Sequence, residues 1–428
     1  MVTAARSTDL TSLPRWGAKT AAIVVSGSTV GLGVTRGLGV MGVPVHVLRY
    51  DDHDMGQASK HVRRTVRAPH PEQEEERFVD LLVDLAPGLG RALLVPASDA
   101  ALASVSRHKE QLEEHYLVAA TGWEITRRFI EKERTYALAD QVGVPIPRTS
   151  VPRSTEDVER HSEELGFPLL VKPSQGHRFM ARFDRKMVEA RDLRQALEWY
   201  RRSTAAGLEV VLQEIIPGPD GAGANYNAYF WDGQPLAEFT ARKVRNSPPR
   251  FGSPRVTLSE NIPDVIEPGR RILRAMGFSG LACTEFKQDA RDGVWKLMEV
   301  NGRHNLSSML AIRCGVNFPW IQYRHLVEGE PPAIGPVRDG VYWIDLIRDV
   351  GCDVRYLGSE GYSLAEYLRP YLRPHVFAIW DPADPKPFGV KVADLARSAA
   401  SAAGRAIRSP SGTPRRSGVA RRAPDHGR

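Results

Sequence analysis

Cysteine is scarce in this chain of 428 residues. There are three, Cys283, Cys314 and Cys352, odd in number and far apart. They match no zinc or redox spacing and favour a reducing compartment. Long apolar runs are missing as well, and no stretch approaches the ~18 residues of a membrane span. The segment "AAIVVSGSTVGLGV", preceded by Arg6, Arg15 and Lys19, mimics a secretion signal. Ser and Gly break it, and a strand-turn-helix reading accounts for it better. The expectation is a soluble cytoplasmic protein without a membrane span. The body also lacks an excess charge of either sign. The chain as a whole carries +7, but residues 398–428 hold seven Arg against a single Asp425, a surplus of +6 that leaves about +1 for the rest. A near-neutral body gives no footprint for a polyanion, so no specific nucleic-acid partner is expected.

What is present is globular: 42% hydrophobic and 25% charged residues. After a loose arm at 1–19, "AAIVV", "VPVHVLRY", "ALLVPASD" and "HYLVAA" read as buried strands, with helices at 30–41 and Asp99–His108 between them. Strands alternating with helices predict a parallel, doubly wound sheet over residues 20–122. A smaller α+β piece, 123–217, opens with a helix near Glu131–Val142. A second helix is capped by Ser154 and Asp157, and the strands "FPLLVKP", "MVEA" and "EVVLQEIIPG" follow. Residues 218–330 carry the strands "NYNAYFWDG", "PLAEFTARKV", "LACTEFKQD" and "VWKLMEV", with helices near 264–276 and 307–328. An appendage spans 331–397. The Ala-, Ser-, Gly-, Pro- and Arg-rich residues 398–428 have too few apolar groups to order themselves and are expected to be disordered.

Four stretches invite a chemical reading. "GSTVGLGVTRG", with Asp51 about 20 residues on, invites a dinucleotide reading. Its glycines run G-x-x-x-G-x-G, the wrong spacing, and a turn that lets a helix pack close to its strand explains them better. "FPLLVKPSQGHRF" ends an apolar strand on Lys172, and "QEIIPGPD" makes a strand running into a Pro-Gly break. "WKLMEVNGRHN" crowds Lys296, Glu299, Asn301, Arg303 and His304 together, with Glu299, Asn301 and Arg303 on one face of an extended segment. A hairpin through "ARDGV" brings Glu285 beside Glu299. Two carboxylates on neighbouring strands repel unless a cation lies between them, and oxygen-only donors suit Mg²⁺.

The order of these parts over residues 20–330 resembles the ATP-grasp superfamily of carboxylate ligases, on its carboxylate–amine ligase-like branch. The resemblance implies a Rossmann-like pre-ATP-grasp domain followed by a two-lobed ATP-grasp fold, α/β and α+β. It implies Lys132 and Lys172 as nucleotide-phosphate lysines and "QEII" as an adenine hinge lined by Gln213, Glu214 and Ile216. Asp220 would sit at the ribose and Lys243 would be the basic residue of the central region. Glu285, Glu299 and Asn301 would bind Mg²⁺, and Arg303 would clamp a carboxylate or acyl phosphate. The segment after Lys172 lacks the family's glycine run. Its His177, Arg178 and Phe179 imply a phosphate cover of another shape, with Lys186 supplying a charge, and set the chain apart from the alanine ligases and biotin carboxylases. The implied activity is an ATP- and Mg²⁺-dependent joining of a small-molecule carboxylate to an amine, in a family where relatives are often homodimers. The rivals are an ATP-grasp phosphotransferase and a non-ligase protein binding NAD or another nucleotide.

Overall fold

The computed structural model describes residues 19–174, 176–330, 334–356 and 361–408. Residues 1–18 of the expected arm, tail residues 409–428 and the side chains of His177 and Cys352 lie outside the described residues. Among the described residues no helix is long and apolar enough to cross a membrane.

The first unit is a five-stranded parallel sheet. Its strands are β1 (Ala22–Val25), β2 (Val45–Arg49), β3 (Val62–Arg67), β4 (Leu93–Pro96) and β5 (Leu117–Val118), in the order β3-β2-β1-β4-β5. β1 and β4 are apolar throughout because both faces are covered by helices. The chain order reverses between β1 and β4, so the turns that follow these two strands flank a crevice at the sheet's carboxyl edge. The glycine turn after β1 serves packing. A Cβ on Gly31 would lie 1.9 Å from the Ser26 carbonyl oxygen, so the helix Thr29–Gly39 approaches its strand only with glycine there. β3 and the helix Glu75–Leu89 are elements the sequence did not announce.

The second unit is a four-stranded antiparallel sheet of β6 (Thr149–Ser150), β7 (Leu169–Pro173), β8 (Val188–Ala190) and β9 (Val210–Glu214), ordered β6-β9-β7-β8. The helix Thr155–Leu165 is capped as expected, Ser154 Oγ accepting from the Asp157 N–H at 3.1 Å. The segment after Lys172 departs from expectation. Residues Gly176–Phe183 form a helix, and Phe179 is fully buried among Phe183, Trp199 and the apolar face of the sheet. Phe179 is therefore part of a core and not a cover over phosphates, and Arg178 points to Glu72 of the first unit, 3.8 Å away.

The third unit is a seven-stranded sheet built from β10 (Gly223–Trp231), β11 (Gln234–Ser247), β12 (Ser253–Ser259), β13 (Gly280–Gln288), β14 (Trp295–Asn301), β15 (Tyr342–Ile344) and β16 (His375–Phe377). The order is β14-β13-β10-β11-β12-β15-β16, antiparallel except for the last pair. The expected helix at 307–328 is three pieces, Ser308–Arg313, Phe318–Tyr323 and a π-helical Arg324–Glu328. Gly315, at φ +104°, and Pro319 break it. Residues after 330 extend this sheet by two strands and then return to the first unit, where Arg36 Nε meets Asp384 at 3.0 Å, both buried. The final helix runs Lys386–Arg408, so residues 398–408 of the expected disordered tail are helical.

Candidate active site

A cleft of about 510 Å³ opens where the three units meet. It gathers Lys132, Lys172, Lys186, Ile216, Asp220, Lys243, Glu285, Glu299, Asn301 and Arg303, which the sequence spreads over more than 170 positions.

The acidic pair is a product of register. In the β13–β14 ladder Glu285 lies directly opposite Glu299, and Cys283 opposite Asn301. Each carboxylate has a lysine. Lys132 Nζ donates to Glu299 at 3.3 Å, and Lys243 Nζ donates to Glu285. Burial works against the charge on both lysines, but the carboxylates outweigh it and hold both above their ordinary pKa range. Burial likewise opposes the charge on Glu299, and Lys132 and Lys172 overcome it and keep the group ionised. Lys243 reaches Glu285 by crossing β10 at Gly223. A Cβ on Gly223 would sit 2.9 Å from the lysine's Cδ, so glycine there leaves the path open.

Lys172 ends β7 buried, its ammonium donating to Tyr136 Oη at 3.0 Å and Gln213 Oε1 at 2.9 Å. Gln213 is thus the lysine's holder, and its amide nitrogen is fixed by Thr149 at 2.8 Å. Its side chain does not face the cleft as a hinge residue. Glu214 turns away as well. Buried beneath the hinge, it accepts from the Arg148 N–H at 2.8 Å and Arg291 Nη2 at 2.9 Å, with Lys296 Nζ at 3.4 Å. Although burial raises it, these partners hold its carboxyl below the usual range. Of the expected hinge, Ile216 and its neighbour Ile215 face the cleft. Asp220 lines it while accepting from the Asn246 and Arg250 N–H groups at 2.9 and 3.0 Å.

Lys296 and His304, from the same crowded stretch, serve elsewhere. Lys296 is 2.8 Å from Asp289. His304 is buried against Gln322, and burial lowers its pKa to about 4, which keeps it neutral. Arg303 is not a free clamp. Its Nε and Nη2 donate to the two oxygens of Asp99 at 2.6 and 2.8 Å. Burial of the Cys283 thiol pushes its pKa up to about 12, so it is no nucleophile.

Sequence reasoning missed Asp99, Tyr136 and the pairing of Phe129 with Gly302. A Cβ on Gly302 would lie 2.3 Å from the Phe129 ring, which lines the cleft. Only Gly302, Arg303's neighbour, left a trace in the sequence, as a glycine between functional residues.

Among the described residues no three His, Cys, Asp or Glu side chains cluster as a metal site. The donor set that fits a hard divalent cation is two carboxylates and an amide, Glu285, Glu299 and Asn301, on adjacent strands.

No protein-family model matches the chain. It is 26% identical to a D-aspartate ligase of Enterococcus faecium over 242 residues, 53% of this chain and 56% of that one. It is 28% identical to a D-alanine–D-alanine ligase of Ectopseudomonas mendocina, over 44% of this chain and 62% of the relative. The match thus spans less than two thirds of these relatives. Among solved structures, an L-amino acid ligase from Bacillus licheniformis superposes with a TM-score of 0.56 at 19% identity, covering 74% of this chain and 77% of that one. The biotin carboxylase domain of a 2-oxoglutarate carboxylase from Hydrogenobacter thermophilus gives 0.59 at 17%, covering 76% and 74%. The chain is thus similar in part of its sequence to alanine ligases and in fold to a biotin carboxylase domain, the two groups from which the glycine-poor segment after Lys172 was expected to set it apart. Relatives in sequence and neighbours in fold converge on one architecture: the chain has the ATP-grasp fold.

Proposed function

We propose that the protein is an ATP- and Mg²⁺-dependent ligase that activates a small-molecule carboxylate as an acyl phosphate for attack by an amine. The observation that carries this is the pairing inside the cleft, where each acidic side chain suited to a divalent cation is balanced by a lysine suited to a phosphate. Phosphoryl transfer asks a protein for positioning and charge neutralisation more than for covalent chemistry. In this reading Lys132, Lys172 and Lys243 face the triphosphate, and Lys186 lines the same cleft. Ile215 and Ile216 would offer an apolar surface to a flat base, and Asp220 would meet a ribose hydroxyl. Glu285, Glu299 and Asn301 would hold Mg²⁺, which when bound neutralises charge on the β- and γ-phosphates. Arg303 would hold the carboxylate while its oxygen bonds the γ-phosphorus, the bond from that phosphorus to the bridging oxygen breaks and ADP forms, and would then hold the acyl phosphate. The amine then attacks the acyl carbon, an amide bond forms and inorganic phosphate leaves. The curated relatives that join amino acids support the reaction class. The Hydrogenobacter neighbour is a dimer, and a homodimer is the expected assembly here.

The test is product stoichiometry. ADP and inorganic phosphate should appear together, and only when carboxylate and amine are both supplied. Glu299→Gln should abolish this turnover while leaving the thermal transition in place, because easing the repulsion between the two facing carboxylates offsets the weakened pairing with Lys132. ADP formed with a stable phosphorylated product would replace the ligase reading with a phosphotransferase.

A further inference from the structure

We propose that Asp99 is a positioning residue for the reaction, acting through Arg303 to couple the first unit to the catalytic sheet. The inference rests on the ligase reading. Asp99 is the first residue of the helix Asp99–Arg107, at the carboxyl edge of β4, beside the crevice where the sheet reverses its order. It lines the cleft with Arg303, although 204 positions separate them in sequence. The pair is side-on and two-pointed, Nε to Oδ1 at 2.6 Å and Nη2 to Oδ2 at 2.8 Å. That geometry fixes the guanidinium plane, as a lysine could not.

What the fixed plane does follows from the remaining donors. Nη2 also reaches Asn301 Oδ1 at 3.4 Å, and Nη1 donates to the His304 carbonyl at 3.2 Å. Asn301 in turn donates to Glu285 Oε1 at 3.3 Å. Asp99 therefore sets the orientation of Arg303, Arg303 sets the Asn301 amide, and Asn301 touches the acidic pair. One Nη1 hydrogen is not used by these contacts and is left to meet a substrate oxyanion. Asp99 is itself held. The preceding Ser98 accepts from the Ala101 N–H at 3.2 Å and from the Tyr50 hydroxyl at 2.6 Å. The first unit supplies none of the proposed phosphate or metal contacts, yet through Tyr50, Ser98 and Asp99 it aims the arginine.

The experiment compares the wild type, Asp99→Asn, Asp99→Glu, Arg303→Ala and the Asp99→Asn/Arg303→Ala double variant of the full chain. ADP and phosphate release is followed across a panel of amino acids and simple carboxylates, with thermal melts as a fold control. Asp99→Asn should lower kcat about tenfold or more with the KM for MgATP little changed, and Asp99→Glu should recover part of the loss. In the Arg303→Ala background, Asp99→Asn should cost far less than it does in the wild type, because its route through the arginine has gone and only its weaker field at Lys132 and Glu299 remains. An Asp99→Asn variant equal to wild type overturns the inference alone. So does a loss that multiplies with that of Arg303→Ala, or one confined to the KM for MgATP. A wild type that binds MgATP yet releases no phosphate with any member of the panel overturns the ligase reading, and the inference with it.

Discussion

Lys172 shows how much of a functional side chain's behaviour is set by neighbours far away in sequence. Its buried ammonium is caught between Tyr136 and Gln213, so its charge is already desolvated and aimed before any phosphate arrives. A charge-assisted contact of that kind is worth about 1.5–3 kcal/mol. Lys172→Ala should therefore weaken ATP binding by roughly ten- to a hundredfold in calorimetry. Gln213→Leu should cause a smaller loss, since Tyr136 still holds the lysine. His304 gives a second residue-scale expectation. Folded, it titrates at about 4 because burial resists its protonation, against 6.5 when exposed. Between these values the unfolded chain binds the extra proton, so stability falls as pH drops from about 6.5 to 4, by roughly 2–3 kcal/mol for this one group. His304→Gln should flatten that part of the wild-type curve of melting temperature against pH. Equal slopes in the two proteins would show that His304 is not the group responsible. The lysines and acids of the site were legible as residues in a telling order. Asp99 and Tyr136 were not, because each acquires its role from a partner more than 30 positions away.

Among elements, the strands best announced by the sequence are those buried on both faces, β1 and β4, where an uninterrupted apolar run has one reading. β3, "VRRTVR", alternates half-buried and exposed positions at the sheet's edge and looks like a polar loop. The helix Glu75–Leu89 hides behind an internal Pro87, and the helix Gly176–Phe183 stands where the family's pattern implies a loop. The appendage offered no pattern at all, yet it is pinned by charge. Asp349, on the helix Leu346–Tyr356, meets Arg255 Nε at 3.0 Å and Arg245 Nη2 at 3.3 Å, all three with 1% side-chain exposure or less. Tyr371 adds a hydrogen bond to the same carboxylate at 2.5 Å. Removing one member of a buried ion cluster strands the others, at about 3–5 kcal/mol. Asp349→Ala should therefore lose stability on that scale in urea unfolding. An unchanged midpoint would mean that the appendage is not held through this cluster.

For the molecule as a whole, three sheets of different character converge on one cleft, and the order of the chain predicted that convergence better than it predicted any single contact. The parallel first sheet, the hairpin of β13 and β14 and the gathering of lysines were all legible, since alternation, turn residues and motif order are local signals. The return of the C-terminal segment to the first unit was not. Asp384 takes Arg36 Nε, the Ser59 hydroxyl at 2.7 Å and the Lys60 N–H at 2.8 Å, joining residues more than 300 positions apart. That closure straps the first unit against the sheet it helps to aim.

The lysine–glutamate pairs in the cleft have a consequence for the order of events. In the resting site Lys132 and Lys243 are paired with Glu299 and Glu285, so these four charges are partly spent on one another, while Lys172 and Lys186 leave the cleft with a positive surplus. A triphosphate that draws the two lysines away leaves two facing carboxylates without their paired ammonium groups. A divalent ion that satisfies the carboxylates leaves two ammonium groups seeking an anion. Each partner uncovers the charge that the other neutralises, so the two should enter with positive cooperativity. Linkage is reciprocal, so the factor by which magnesium tightens ATP must equal the factor by which ATP tightens magnesium. Titrating each in the absence and presence of the other should return that single number, well above unity. A factor near one would mean that the lysines never let go.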